Sequence, residues 1–206
     1  MDKVKYFFQQ SWLLIVASFL FGLLIAVANA AWAARIVQNE KDKFNNLVVE
    51  MISDANSSEI ALENIEVETG RGKKKMTSVL EVLSADGECV GWAFKCEGSG
   101  FADKIKLVVT VDAAFEKLKG YGVLSSNETP GFGDKIKEPY YRDQFKDAPA
   151  TELALMKLGD SDVKDSKIVA ISGATVSSEA VIAIVNTFLG QIKKHMQKEG
   201  LIGNGK

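Results

Sequence analysis

The chain of 206 residues has few of the side chains that bind metals or carry out nucleophilic catalysis, with only two cysteines and one histidine. Cys89 and Cys96 stand seven positions apart, so on one continuous strand they would lie more than about 20 Å from each other, too far for a disulfide. Two thiols and one histidine also make a poor metal site. With one histidine, the sequence shows no catalytic arrangement of a nucleophile, a base and an acid. We therefore predict buried cysteines, no metal and no catalytic residue, with His195 solvated among lysines.

A basic surface is also lacking. The chain has 25 lysines and arginines against 27 aspartates and glutamates, a net charge of −2. No basic block is long enough to line a nucleic-acid groove, so we predict that nucleic acid is not a partner.

Charge is absent between Tyr6 and Ala34. The segment from Trp12 to Ala34 is almost wholly apolar, and its 23 residues, at a rise of about 1.5 Å each, exceed the hydrocarbon core of roughly 30 Å. Trp12 and Trp32 lie near its two ends, where interfacial aromatic residues belong. The pattern predicts a single transmembrane anchor over residues 1–35.

A cleaved secretory signal is the alternative, because residues 28–30, Ala-Asn-Ala, look like a cleavage site. The apolar stretch is longer than a usual signal core, which favours the anchor. The positive-inside rule does not decide its orientation, since basic residues stand on both sides: Lys3 and Lys5 before it, and Arg35, Lys41 and Lys43 after it.

The segment after the anchor, residues 36–75, is predicted to be a helical stalk and polar connector. Its apolar side chains follow helical spacing at Phe44, Leu47, Val48 and Met51.

The period changes to two at Thr77, and Asp86-Gly87 is a strong hairpin signal. Strands are predicted up to this turn and then over residues 88–95, 104–112, 118–125, 151–158 and 167–171. The last element is a helix with one apolar stripe from Val181 to Met196. The sequence predicts an α+β fold, an antiparallel sheet with a long C-terminal helix, over residues 76–200, and a tail over residues 201–206.

The turn before this helix, AISGATVSSEAV at residues 170–181, carries four hydroxyls: Ser172, Thr175, Ser177 and Ser178. A helix N-terminus has unpaired N–H groups and a positive dipole end, which suit either a capping hydroxyl or a bound phosphate. Ser177 and Ser178 are the candidates for capping. Spacing alone leaves both interpretations open.

Two earlier segments bear on this choice, GSGFADKI from Gly98 and ETPGFGDKI from Glu128. Together with SGATVS from Ser172, in this order and behind a membrane span, they resemble the flavin-binding domain shared by the G subunit of the Rnf electron-transport complex and the C subunit of the sodium-pumping NADH:quinone reductase. The resemblance covers residues 90–192. Three positions depart from the family pattern: Val169 replaces an aspartate, Ser126 a histidine and Phe101 a tyrosine.

The resemblance implies flavin mononucleotide (FMN) attached covalently through its phosphate to Thr175. It also implies that Glu128 and Thr129 lie against the isoalloxazine, while Ser172, Gly173 and Ala174 shape the turn. Gly131 would let the backbone approach the ligand.

By the same resemblance, the chain would be a single-pass electron-transfer subunit in the cytoplasmic membrane, with its C-terminal domain on the extracytoplasmic side. Its partners would be the other subunits of an ion-translocating ferredoxin:NAD oxidoreductase complex and a flavin-transferring enzyme for maturation. The alternatives are a subunit of the sodium-pumping quinone reductase, a stand-alone membrane flavoprotein reductase, and a non-redox anchored assembly module.

Overall fold

The computed structural model describes residues 2–69 and 72–203. Met1 of the predicted anchor, residues 70–71 of the predicted connector and residues 204–206 of the predicted tail lie outside the described residues. The elements in chain order are α1 (Asp2–Met51), β1 (Ser57–Thr69), β2 (Lys73–Leu83), β3 (Cys89–Ser99), β4 (Lys104–Asp112), β5 (Leu118–Ser126), α2 (Pro139–Arg142), β6 (Ala154–Met156), β7 (Lys167–Val169) and α3 (Thr175–Lys198), with 3-10 turns at Gly133–Lys137 and Asp143–Phe145.

Strands β1 to β5 form one antiparallel sheet in which every strand pairs with its neighbours in sequence. The β2–β3 hairpin turns at Gly87, whose positive φ of 79° suits glycine. The stripe of α3 that includes Val181, Val185 and Ile192 packs on the sheet face that carries Phe94 and Leu107. The predicted α+β fold is therefore confirmed.

The prediction of a helical connector is wrong for residues 57–69 and 73–75, which lie in strands. Helix α1 ends at Met51, and Ser57–Thr69 form the edge strand β1, paired with β2. Pairing shifts register between Leu62 and Ile65, and Asn64 has a positive φ of 55°. Such an irregularity breaks the alternation that identifies a strand in a sequence.

The two strands predicted over residues 151–158 and 167–171 are shorter than expected and do not join the main sheet. β6 and β7 pair with each other in parallel over three residues each. The side chain of Asn186 on α3 hydrogen-bonds both the N–H and the C=O of Leu153, each at 2.8 Å. This amide replaces the ladder bonds that would have extended the first strand.

Among the described residues, two helices are long and apolar enough to cross a membrane: the part of α1 from Gln9, none of whose apolar window is buried, and α3. Half of the corresponding window of α3 is buried, because α3 is the core helix of the domain. The N-terminal apolar helix thus suggests a membrane anchor. The chain divides into two compact units, one ending at Asp42 and one beginning at Lys43.

The unit that begins at Lys43 includes the last turns of α1. Phe44, Val48 and Ile52 are buried there against side chains of the sheet face that does not meet α3: Val82, Ala93, Val108 and Leu124. Gly122 makes room for this contact, because a Cβ at that position would lie 2.7 Å from Leu47 Cδ2. The sheet is therefore covered by a helix on each face.

Candidate functional site

A cavity of about 230 Å³ opens at the N-terminus of α3. It is bounded by the loop after β3, the loop after β5 and the turn before α3. These are the three segments whose motifs were recognised in the sequence, so the fold brings them together. The lining residues are Phe101, Thr129, Phe132, Gly133, Gly173, Ala174, Thr175, Val176 and Ser177.

Thr175 is the first residue of α3, and its side chain is exposed at the cavity. Ala174 precedes it at the N-cap position, and among the described residues no side chain hydrogen-bonds as a cap there. Gly173, with a φ of 78°, turns the chain sharply before the helix. The first-turn N–H groups and the helix dipole make this a favourable place for an anion beside the Thr175 hydroxyl.

The Glu128 side chain lies behind the cavity rather than on its lining, with only 4% of its surface exposed. Its Oε1 accepts a hydrogen bond from the Ala102 N–H at 3.0 Å, and its Oε2 accepts one from the Ser177 hydroxyl at 2.5 Å. Both donors are uncharged. One buried carboxylate thus joins all three motif segments.

Two glycines surround this carboxylate because no side chain fits there. A Cβ at Gly133 would lie 2.6 Å from Ser177 Oγ and 2.8 Å from Glu128 Oε2. A Cβ at Gly100 would collide with Glu128 Oε1 and would lie 2.7 Å from the Asp103 carbonyl. The glycines of two motifs are therefore needed for the packing of Glu128.

The four hydroxyls of the turn divide into two exposed and two buried groups. Ser172 and Thr175 are exposed, whereas Ser177 and Ser178 are 3% and 0% exposed. Ser178 Oγ donates to the Ala174 carbonyl and accepts from the Ile171 N–H, both at 3.0 Å. The prediction that Ser177 and Ser178 cap the helix is wrong, because Ser177 bonds to Glu128 and Ser178 closes the preceding turn.

The remaining predicted site residues fall on the loop after β5. Thr129 lines the cavity, and its carbonyl accepts hydrogen bonds from the N–H groups of Phe132 and Asp134, each at 3.2 Å. Gly131 has a positive φ of 77°. Both Gly131 and Ser172 are exposed and lie outside the cavity lining. The loop is therefore a compact turn that presents Thr129 to the cavity.

Two aromatic side chains that the sequence did not single out as ligand contacts flank the cavity. Phe101 and Phe132 are 66% and 56% exposed. Phenylalanine is normally buried, so two exposed rings beside one cavity form an apolar surface suited to a flat aromatic ligand. In the sequence, this role is indicated by the position of each phenylalanine directly after a motif glycine.

Beneath the site, aromatic packing supports the loops. The Tyr141 hydroxyl donates to the Ser178 carbonyl at 3.2 Å, and the Tyr121 hydroxyl donates to the Ile136 carbonyl at 2.6 Å. Burial raises the pKa of both phenols. Tyr141 is therefore a packing residue with 0% of its surface exposed, whereas Tyr140 lies 55% exposed.

The two cysteines and a charged groove beside α3 lie outside this cavity. Cys89 and Cys96 are free, and burial raises the pKa of the Cys96 thiol. Within residues 2–69 and 72–203, no group of three histidine, cysteine, aspartate or glutamate side chains could hold a metal. A groove of about 370 Å³ between α3 and β1–β3 contains Glu97. Its Oε1 forms ion pairs with Lys75 Nζ at 2.7 Å and with Lys104 Nζ at 3.7 Å.

Residues 100–190 match the family described as FMN-binding domain. The chain is 33% identical over 100 residues to the G subunit of the ion-translocating oxidoreductase complex of Methanosarcina acetivorans, covering 48% of this chain and 50% of that protein. It is 33% identical over 130 residues to the G subunit of the Na(+)-translocating ferredoxin:NAD(+) oxidoreductase complex of Acetobacterium woodii, covering 62% and 61%. The matched regions thus span about half to three fifths of these relatives.

Among solved structures, the fold is similar to the C subunit of the Na(+)-translocating NADH-quinone reductase of Parabacteroides distasonis. The TM-score is 0.52 at 21% identity, covering 74% of this chain and 80% of that one. At this identity the likeness establishes the fold alone. The resemblance to the flavin-binding domain shared by these G and C subunits is confirmed.

Proposed function

We propose that this chain, whose residues 100–190 match the FMN-binding domain family, is a membrane-anchored electron-transfer subunit of an ion-translocating ferredoxin:NAD oxidoreductase complex. The observation that carries the proposal is the convergence of three motif segments on one cavity, with the Thr175 hydroxyl exposed at a helix N-terminus. Bound FMN supplies the reversible acceptance and donation of electrons, while the protein holds it and tunes its potential.

FMN is held covalently at Thr175 in this proposal. Thr175 Oγ1 forms a bond to the phosphorus of an activated FMN, such as the flavin dinucleotide. The bond from that phosphorus to the leaving nucleotide phosphate breaks, and the hydroxyl proton is released. The resulting phosphodiester keeps one negative charge, which the N-terminus of α3 stabilises. Ser172, Gly173 and Ala174 shape the turn that presents the hydroxyl, and a separate flavin-transferring enzyme catalyses the step.

The cavity lining indicates which side chains would meet the flavin. Thr129 contributes a polar group and Phe101 and Phe132 contribute apolar rings. Glu128 would act from beneath, through the loops that it joins, because both of its carboxylate oxygens are already hydrogen-bonded and its side chain is buried. Gly131 would shape the loop rather than contact the ligand.

In the full proposal the chain crosses the cytoplasmic membrane once and its C-terminal domain lies on the extracytoplasmic side, next to the other subunits of the complex. Protease treatment of intact right-side-out vesicles tests the sidedness. Digestion of the domain there, but not in inverted vesicles, is the expected result. Protection in right-side-out vesicles and digestion in inverted ones would contradict it.

The second candidate is the corresponding C subunit of a sodium-pumping NADH:quinone reductase, because the chain is also 30% identical over 121 residues to the C subunit of the Na(+)-translocating NADH-quinone reductase of Yersinia pestis. Purifying the tagged chain from its membranes with its bound subunits separates the two. Co-purification of iron-sulfur and flavin subunits that reduce NAD with ferredoxin supports the first candidate. Co-purification of a quinone-reducing assembly supports the second.

Fluorescence of the denatured chain in a gel tests the flavin attachment itself. A fluorescent band would also exclude a non-redox assembly module. Full-length chain made with the flavin-transferring enzyme should give a fluorescent band. Thr175→Ala should abolish it, whereas Thr187→Ala, a hydroxyl deletion farther along α3, should retain it. A dark band for the unaltered chain would contradict the proposed attachment.

A further inference from the structure

The first turn of α3 is held in place differently from the first turn of a typical helix. Among the described residues no side chain caps the N-terminus at Ala174, although the first turn of a helix usually needs such a partner. Two positions after Thr175, the buried Ser177 hydroxyl instead reaches across to the Glu128 carboxylate at 2.5 Å. The turn that carries Thr175 is thereby tied to the loop after β5.

The Glu128 carboxylate is itself fixed on its other side. Its Oε1 accepts a hydrogen bond from the Ala102 N–H at 3.0 Å, so the carboxylate cannot move freely with Ser177. A second link between the same two loops, from Asn127 Nδ2 to Asp103 Oδ2 at 2.9 Å, keeps the Glu128 loop in place. Buried hydrogen bonds to a carboxylate are short and strong, and losing one leaves a buried acceptor unpaired.

We infer that Ser177 is a positioning residue for the attachment of FMN, acting through Glu128 to hold the first turn of α3 so that the Thr175 hydroxyl stays at the cavity. The inference rests on the proposed function of Thr175. Ser177 does not react, because its hydroxyl proton is committed to Glu128 and its side chain is buried. Its contribution is to the geometry of a nucleophile two residues away.

The expected effect follows from how strongly transfer reactions depend on geometry. A misplacement of about 1 Å costs on the order of a hundredfold in rate. Loss of one anchoring bond should allow the first turn to fray for much of the time. For Ser177→Ala we therefore expect a roughly tenfold or greater loss in the rate of flavin incorporation at saturating chain, with little change in the half-saturating concentration.

The experiment uses the full-length chain in detergent with the flavin-transferring enzyme and the flavin dinucleotide, and follows initial rates by in-gel fluorescence. The variants are Ser177→Ala, Ser177→Thr, which restores a hydroxyl, and Thr187→Ala, which removes a hydroxyl that bonds to the Ala183 carbonyl of its own helix. Thermal unfolding is recorded for each variant, and rates are compared well below the lowest midpoint. The proposal expects slow incorporation in Ser177→Ala, substantial recovery in Ser177→Thr and an unchanged rate in Thr187→Ala.

Incorporation into Ser177→Ala at the rate of the unaltered chain would overturn the inference and leave the proposed function intact. Equal slowing in Ser177→Ala and Ser177→Thr would also overturn it, because the hydroxyl would not be the determinant. No incorporation into the unaltered chain would overturn the proposed function, and the inference with it. If Ser177→Ala does not fold, Glu128→Asp replaces it, since the shorter carboxylate cannot reach both donors; a full rate in Glu128→Asp would overturn the inference.

Discussion

Ser177 and Glu128 stand 49 positions apart in the sequence, yet the hydroxyl of one lies 2.5 Å from the carboxylate of the other. The contact closes a site built from three loops, each of which follows or precedes a regular element. It also explains why glycine stands at positions 100 and 133, where a Cβ would displace the carboxylate or the hydroxyl. The arrangement leaves Thr175 as the exposed hydroxyl of this first turn.

Gly133→Ala should destabilise the domain by displacing the Ser177 hydroxyl or the Glu128 carboxylate. The added methyl would meet Ser177 Oγ at 2.6 Å, and overpacking of this kind costs about 1–3 kcal/mol. The free energy of unfolding, measured with urea and the fluorescence of buried Trp92, checks the size of the effect. Gly190→Ala is the control: nothing lies within 4 Å of its added Cβ, and a helical Gly→Ala change should stabilise by up to about 1 kcal/mol. Equal stability of the two variants would contradict the packing described around Glu128.

Phe132→Ala should change the environment of bound flavin without unfolding the protein. The ring is 56% exposed, so the free energy of unfolding should stay within roughly 0.5 kcal/mol of the unaltered chain. The absorption maxima and reduction potential of the incorporated flavin should shift, since an aromatic wall of the cavity is lost. Leu158→Ala, on an 86% exposed side chain, serves as the control. Identical flavin spectra in both variants would exclude Phe132 as a wall of the flavin site.

Val48→Ala and Val49→Ala test whether the end of α1 belongs to the folded domain. Val48 is 3% exposed against the sheet, whereas Val49, its neighbour, is 52% exposed. Removing the buried side chain should cost about 2 kcal/mol, through lost burial and a residual cavity. The change at Val49 should cost less than about 0.5 kcal/mol. Urea unfolding of both full-length variants in detergent measures the difference, and equal costs would place residues 43–52 outside the domain.

Acid should weaken the ion pair at the groove beside α3. The Lys75 ammonium, which donates to the carboxylate, lowers the pKa of Glu97 from its ordinary value of 4.5. A depressed folded-state pKa contributes stability above the unfolded value, and this contribution is lost as the pH falls through the folded value. The stability difference between the unaltered chain and Glu97→Gln should therefore be largest near neutral pH and shrink below about pH 4.

Urea unfolding at a series of pH values measures this difference. The same comparison is made in the Lys75→Met variant, which lacks the ammonium. There the pH-dependent part of the stability change caused by Glu97→Gln should be smaller. A difference that grows on acidification would contradict the assignment of the Glu97 pKa.

The sequence predicted much of the sheet, because alternation and turn chemistry are local signals. The bounds predicted for the strand at residues 104–112 coincide with those of β4, and the Asp86-Gly87 turn lies in the β2–β3 hairpin. Strand β1 was missed because its register shift near Asn64 scrambles the alternation. Strands β6 and β7 were predicted too long, since an amide of α3 rather than a strand partner satisfies Leu153.

For the site, the sequence identified the segments but not the directions of their side chains. The family motifs mark residues 100–105, 128–136 and 172–177, and the fold brings residues of all three segments to one cavity. The burial of Glu128 beneath the cavity depends on Ala102 and Ser177, which lie far from it in the sequence. No local pattern distinguishes a buried hydroxyl at Ser177 from an exposed one at Ser172, because packing against Gly133 decides it.

The intact mass of the purified full-length chain decides whether Thr175 carries FMN through a phosphodiester. The chain made with the flavin-transferring enzyme should be heavier than its sequence by one FMN less one water, with the added mass on the peptide that contains Thr175. The Thr175→Ala chain should have the mass of the sequence alone. An unmodified mass for the unaltered chain, or the added mass on a different peptide, would contradict this attachment.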